Sequence, residues 1–183
     1  MAKLVNGVDV DRLMETIDLI KKQPEIARFK FRARNTWVGG THNRATVKDF
    51  YGACQEDDSR APLVFEIDEP PVLLGENRGA NPVEYLLVAL SGCVTTSMVA
   101  HAAAKGIEIK SVSSRLEGDI DVRGFLGLSE SVPVGYQEIR FFFKIEADIS
   151  DQQKEELVQM GAKYSPVFNT LTKGVSVKAQ LDR

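Results

Sequence analysis

The strongest constraint on this chain is the stretch from Asn81 to Lys105: a helix start followed by an apolar rod without a charged side chain between Glu84 and Lys105. Asn81 offers a side-chain oxygen to the first free N–H groups. Pro82 suits the first helical position, and Glu84 can reach back to the Asn81 N–H. The pattern predicts a helix over 82–105, ended by Gly106. Two stripes run along it. One is bulky (Val83, Leu87, Leu90, Val94, Met98) and one is small (Ala89, Cys93, Ser97 or Thr96, Ala100, Ala104). The bulky stripe seeks a sheet face or core. The small stripe lets a second backbone approach, from another helix or from the same helix in a second copy. A helix so free of charge is expected to be fully buried at the centre of the fold.

The elements around it predict an α+β fold with mainly antiparallel sheets. Val10, Leu13, Met14, Ile17 and Ile20 repeat at helical spacing, with Asp9 as cap and Pro24 as stop. From Arg28 the period becomes two: Phe29, Phe31, Ala33, Asn35 and Trp37 alternate with basic residues, as in a strand with one wet face. Gly39-Gly40 turns the chain, and Arg44–Tyr51 and Leu63–Ile67 read as further strands. After the long helix come two more strands, one carrying Leu116, Ile120 and Val122 and the other spanning Ile139–Ile145. Ser150 and Gln153 form a second capping box for a helix over about 151–163. Ser165-Pro166 starts a short helix that Gly174 stops, and Val175, Val177 and Ala179 predict a closing strand.

Composition removes several classes of function. The 183 residues suit one domain with a sizeable core. With 23 basic and 26 acidic residues the net charge is −3, and no basic cluster supplies the footprint that nucleic-acid binding needs. No apolar run approaches the ~20 residues of a bilayer span, so no membrane partner is expected. The charged start, MAKLVNGVDVDRL, does not resemble a signal peptide, and a cytoplasmic location follows as the expectation. Two cysteines, Cys54 and Cys93, without C-x-x-C spacing, and two histidines, His42 and His101, argue against a disulfide scaffold, a zinc site or another metal centre. No cofactor is implied.

Chemistry therefore rests on Cys93, as packing or as a protected reactive thiol. Its position far from the helix N-terminus denies it help from the helix dipole, so a thiolate there needs a cation from elsewhere: Arg28, Arg32, Arg34, Arg44 or Arg78. Glu84 lies nine residues earlier at 100° per residue, on the far side of the same helix and roughly 13 Å away along the axis. It reads first as the capping-box carboxylate. His101, about 12 Å beyond Cys93, is out of direct reach as a base within the helix. His42, in the Gly-Gly turn, reads as solvent-exposed. Residues 124–135 form a glycine-bounded loop whose Phe125, Leu126 and Leu128 either line a pocket for an apolar substrate or close a dimer.

NPVEYLLVALSGC with its Ala-rich continuation, the preceding LLGENRGA, the Trp37-Val38-Gly39-Gly40 turn and the later YSPVFNTLTKGVSV together resemble the OsmC/Ohr family, the osmotically inducible and organic hydroperoxide resistance proteins. The resemblance spans about 28–182. On that basis 26–183 is expected to be an OsmC-like domain and 1–25 an N-terminal amphipathic helical extension. The resemblance implies an intertwined homodimer with antiparallel sheets around long central helices, and active sites at the dimer interface. It also implies thiol-dependent reduction of organic hydroperoxides in oxidative stress defence. A peroxidatic cysteine is assisted there by an arginine and a glutamate, and a second cysteine resolves the sulfenic acid. The first cysteine falls on Cys93, and Arg44 is the best match for the arginine, although an ordinary exposed strand residue is an equal reading. Val83 holds the place of the family glutamate, so Glu84, one residue later, is the candidate for that catalytic role, reaching Cys93 from a partner subunit or through an arginine. The second-cysteine position is Ser165, so an external thiol must resolve Cys93, unless Cys54 does so. The alternative is a non-catalytic dimer on the same fold that binds a small hydrophobic molecule, with Cys93 as lining.

Overall fold

The computed structural model describes residues 3–182. The chain divides into two compact units, one formed by residues 11–86 and the other by 3–10 together with 87 onward. Along the sequence, β1 (Leu4–Val5) and β2 (Val8–Asp9) lead into α1 (Val10–Lys22). Then come β3 (Lys30–Phe31), β4 (Arg34–Gly39), β5 (His42–Val47), β6 (Phe50–Gly52), β7 (Gln55–Asp57) and β8 (Leu63–Ile67). The long helix is α2 (Pro82–Ala104), followed by β9 (Ser111–Asp119), the short α3 (Val122–Phe125) and β10 (Glu138–Glu146). Two helices close the chain, α4 (Asp151–Tyr164) and α5 (Pro166–Lys173). Among the described residues these strands pair antiparallel, with one isolated parallel bridge between Ile67 and Ala80, which bears out the expected α+β class.

In the 11–86 unit two three-stranded sheets, β3-β6-β7 and β4-β5-β8, replace the longer strands expected there. The expected strand from Arg28 breaks between Phe31 and Arg34, and its partner breaks at Lys48-Asp49. The side chains at the two breaks explain why they coincide. Asp49 accepts from Arg34 at 2.7 Å and from Arg32 at 3.2 Å, and Arg32 also forks onto Glu56. The Arg34 hydrogen bond, ahead of other causes, holds the Asp49 carboxyl down at about 2. A backbone that bends toward one shared carboxylate leaves the flat ladder on both strands at once.

In the other unit α4 lies across α2. Met98, Ala102 and Leu157 form its buried centre, with Ile107, Ile109, Val112, Phe143 and Ile145 packed around them. The close approach of two helices occurs on the bulky stripe of α2, not on the small one. Gly161 of α4 makes it possible: a Cβ there would sit 2.9 Å from both the Met98 Cβ and the Val94 carbonyl oxygen. The β1–β2 hairpin belongs to this unit. Its turn residue Asn6 (φ 54°) donates to the Ile107 carbonyl and accepts from the Ile109 N–H, and Val5 and Val10 pack on Ala103.

Four expectations need correction. Full burial of α2 is not reached within one chain: only Leu90, Val94, Met98, Ala102 and Ala103 are buried, and Val88 is 61% exposed. By length and apolarity alone, α2 would also suffice to cross a bilayer, contrary to the reading of its sequence; a small-residue helix mixed with Ser and Thr hides that property from a search for apolar runs. The strand expected through Ile120 and Val122 stops at Asp119, because Asp121 caps α3 by accepting from the Arg123 N–H. The closing strand does not form. Residues 175–182 pair with nothing among the described residues, and Val177 is 84% exposed. An alternating segment becomes a strand only where a neighbouring backbone satisfies its N–H and C=O groups.

Candidate functional site

Cys93 sits in the middle of α2, half-buried, one residue before the buried Val94. One turn further on, the Ser97 hydroxyl donates to the Tyr164 carbonyl at 3.3 Å, and the His101 ring stacks on Tyr164 with centroids 4.2 Å apart. The end of α4 is thereby fixed beside the turn of α2 that follows the thiol. Ser165 comes next and is fully buried. Its Oγ accepts from the Phe168 N–H at 3.1 Å and caps α5. The second-cysteine position is therefore occupied by a helix cap, a task in which a serine oxygen excels and a thiol does not.

Glu84 completes the capping box foreseen for α2. Its carboxylate accepts from the Asn81 N–H at 2.8 Å, and its own N–H donates to the Asn81 side chain at 2.8 Å. Cys54 is exposed in the β6–β7 turn, at φ 63°. Phe125 ends α3 and Leu126 and Leu128 follow it, and all three are solvent-exposed. Among the arginines, Arg32 and Arg34 are taken up by Asp49 and Glu56, and Arg78 is paired with Glu76.

Arg44 has a different setting. The β5–β8 register places it directly opposite Glu66, and its Nε donates to Glu66 Oε1 at 2.7 Å. His42, two residues earlier, lies on the same face of β5, as the period of a strand requires. Its Nε2 lies 2.6 Å from Glu66 Oε2. Bonds from His42 first and Arg44 second hold the Glu66 carboxyl below its ordinary range. His42 is buried, which corrects the expectation of an exposed turn residue. The other ring nitrogen, Nδ1, faces Arg78 Nη1 at 3.4 Å.

Asp68 organises what surrounds this pair. It is 2% exposed, and its two oxygens accept from the Thr41 hydroxyl and from the N–H groups of Glu69, Glu76 and Arg78. The Thr41 bond leads the causes that hold its carboxyl at about 2. The loop between β8 and α2 is thus tied to the turn between β4 and β5. Gly75 and Gly79 are obligatory there, since a Cβ on either would overlap the backbone of Glu69 or Glu66. Between turn and loop lies a cavity of about 210 Å³. Sequence reading missed Glu66, Asp68 and the inward role of His42. The available signal was a carboxylate inside the apolar run Leu63–Ile67, and a second one just before the Pro70-Pro71 turn.

Comparison with known proteins follows the same lines. The sequence model of a family described as OsmC-like protein matches residues 75–180. No curated protein matches the chain. The fold is similar to an OsmC-like protein from Mycoplasma pneumoniae (TM-score 0.61, 20% identity, covering 80% of this chain and 89% of that one). It is also similar to an organic hydroperoxide resistance protein OsmC from Legionella pneumophila (TM-score 0.57, 18% identity, 81% and 93%). A third similar structure is an organic hydroperoxide resistance protein from Elizabethkingia anophelis with crystallant-derived thiocyanate bound (TM-score 0.58, 18% identity, 79% and 89%).

Proposed function

The chain belongs to the OsmC-like protein family, and from that premise we propose that it reduces organic hydroperoxides through a single cysteine, Cys93. The thiolate attacks the distal peroxide oxygen and the O–O bond breaks. The alcohol leaves with a proton, and Cys93 becomes a sulfenic acid. A small external thiol then condenses with the sulfenic acid, releasing water and leaving a mixed disulfide. A second thiol reopens that disulfide, so the two electrons come from two thiols. Arg44, the best match to the family arginine, is the cation proposed for the thiolate; its Nε is held by Glu66. Glu84 acts at the helix start, as its bonds to Asn81 indicate.

The observation that carries the reading is the pairing of a half-buried thiol in the middle of α2 with a buried cap at Ser165. A cycle on this chain has one internal sulfur at the family positions and borrows the other. The same fold supports a second reading, a non-catalytic binder of a small hydrophobic molecule. The exposed Phe125, Leu126 and Leu128 and the uncovered apolar face of α2 favour it. Both readings work in a homodimer, which would also give α2 and the tail at 175–182 a partner.

Titration of reduced protein with cumene hydroperoxide and with hydrogen peroxide separates them. Fast thiol loss that survives Cys54→Ser, disappears in Cys93→Ser, prefers the organic peroxide and is trapped by a sulfenic-acid probe supports the peroxidase. A thiol that reacts no faster than free cysteine defeats it and leaves the binding protein.

A further inference from the structure

We infer that Glu66 of β8 is a positioning residue for Arg44: it holds the guanidinium by Nε and leaves both Nη groups for the anion of the reaction. This role presupposes the peroxidase reading above, and Glu66, Arg44 and His42 all lie within the 11–86 unit.

Glu66 is fixed in both backbone and side chain. The ladder with β5 puts it opposite Arg44. Its carbonyl accepts from the Tyr85 hydroxyl at 2.8 Å, and the Phe65 and Tyr85 rings meet edge to face with centroids 6.0 Å apart. The start of the cysteine-bearing helix is thereby docked on the strand residue that meets Arg44. Gly79 runs against the same carbonyl, so closely that a Cβ there would overlap it. The carboxylate is engaged at both oxygens: Oε2 lies 2.6 Å from His42 Nε2, and Oε1 accepts from Arg44 Nε at 2.7 Å.

A carboxylate–guanidinium pair on a surface is weak, because both side chains lose entropy in one geometry and water screens their charges. The Arg44 side chain is 53% exposed and that of Glu66 34%, so the pair alone would hold only loosely. His42 changes this. Its side chain is 9% exposed, and by taking one oxygen of Glu66 it stops the carboxylate from swivelling. Glu66 is therefore already ordered where Arg44 meets it.

Arg44 itself has a single anchor. Its ladder neighbour on β4 is the uncharged Thr36, and among the described residues no bond engages its Nη groups. A guanidinium is rigid and planar, so a bond at Nε also constrains those two groups, which carry the charge-assisted donors an anion needs. In the step at Cys93 the sulfur takes the distal oxygen with its proton and the O–O bond breaks. The electron pair leaves on the alkoxide, which takes a proton to become the alcohol. Negative charge thus passes from sulfur to oxygen, and a cation held in place stabilises that passage better than a wandering one. Glu84 has its own task at the helix start, accepting from the Asn81 N–H.

Second-order rate constants for loss of the Cys93 thiol with cumene hydroperoxide, in a Cys54→Ser background, test this role. The variants are Glu66→Gln, Arg44→Gln and the two together. Glu66→Gln removes a negative charge beside Arg44. Were charge alone at stake, the released guanidinium would attract an anion more strongly, and the rate would hold or rise. Positioning predicts the reverse, a loss of at least tenfold, and the same loss in Arg44→Gln. The double variant should be no slower than Arg44→Gln, because Glu66 acts only through Arg44, whereas a merely structural part in the sheet would slow that background further. Glu66→Asp, which keeps the charge one methylene short of Arg44, should lose at least threefold and serves if Glu66→Gln proves unfolded in a thermal scan. A Glu66→Gln or Glu66→Asp protein as fast as wild type, an unaffected Arg44→Gln, or a double variant threefold slower than Arg44→Gln would each overturn the inference. A wild-type thiol no faster than free cysteine is a separate failure, for it removes the peroxidase reading and this role with it.

Discussion

The helix crossing that fixes the neighbourhood of Cys93 can be tested by comparing two glycine-to-alanine changes in one protein. Both Gly92 and Gly161 lie inside helices, and neither has a positive φ. Each substitution therefore gains the same helix-propensity term, about 1 kcal/mol. They differ in what the new methyl meets. At Gly92 nothing lies within 4 Å of the added Cβ. At Gly161 it lies 2.9 Å from Met98 Cβ, 2.9 Å from the Val94 carbonyl oxygen and 3.3 Å from Val94 Cγ1. Carbon contacts are at their best near ~3.5–4.0 Å, so α4 must shift by more than half an ångström or strain in place. Overpacking of this kind costs about 1–3 kcal/mol. Gly92→Ala should then stabilise by about 1 kcal/mol. Gly161→Ala should range from neutral to about 2 kcal/mol destabilising, once the propensity gain is set against overpacking. For a chain of this length each kcal/mol moves Tm by roughly 2–4 °C, so the two variants should separate by roughly 2–12 °C. Calorimetric scans in parallel, at one protein concentration, measure the separation. Equal upward shifts would refute the close crossing, for they would show that Gly161 has as much room as Gly92.

Two further outcomes follow from single side chains. Ser165→Ala removes the cap of α5 from a fully buried position and should cost about 1 kcal/mol, seen as a lower urea midpoint with unchanged slope. Asp68→Asn should lower Tm at pH 7. The folded carboxyl stands at about 2 against 3.8 unperturbed, so its contribution is present above the unfolded value and is lost as pH falls. The Tm gap between wild type and variant should therefore narrow between about pH 4 and pH 2. A gap that stays constant over that window would show that the ionised form is not what the loop needs.

Local signals on the page were those in which a residue acts on its own turn of chain. The capping boxes at Asn81/Glu84 and Ser150/Gln153, the Ser165-Pro166 helix start and the Gly174 stop are all sequence-adjacent devices, and all are present. The charged cluster was not legible, because it depends on register. Glu66 meets Arg44 only after β8 has paired with β5 in one particular alignment, and His42 turns inward only as part of that ladder. Asp68 is a still longer-range case: its partners come from Thr41 on one side and from Glu76 and Arg78 on the other, with no periodicity to mark them. Residues 175–182 erred in the opposite direction. Their alternation is plain, but a strand is a property of two backbones, and one chain supplies only one of them here. Of the expected site, the position of the thiol, the cap at Ser165 and the engagement of Glu84 were each readable one residue at a time.

The β1–β2 hairpin has a consequence for the order in which the molecule assembles. Residues 11–86 are continuous and can fold as they leave the ribosome, at ~5–20 residues per second. The hairpin cannot, because Asn6 must wait for the backbone of Ile107 and Ile109, and Val5 and Val10 for Ala103. Those partners belong to a unit whose core also requires Leu157. The hairpin is thus among the last parts to find its place, since its partners lie about a hundred residues later in the chain. A bulky group attached just ahead of Leu4 would therefore act not on the strands that follow it in sequence but on the far end of the cysteine-bearing helix.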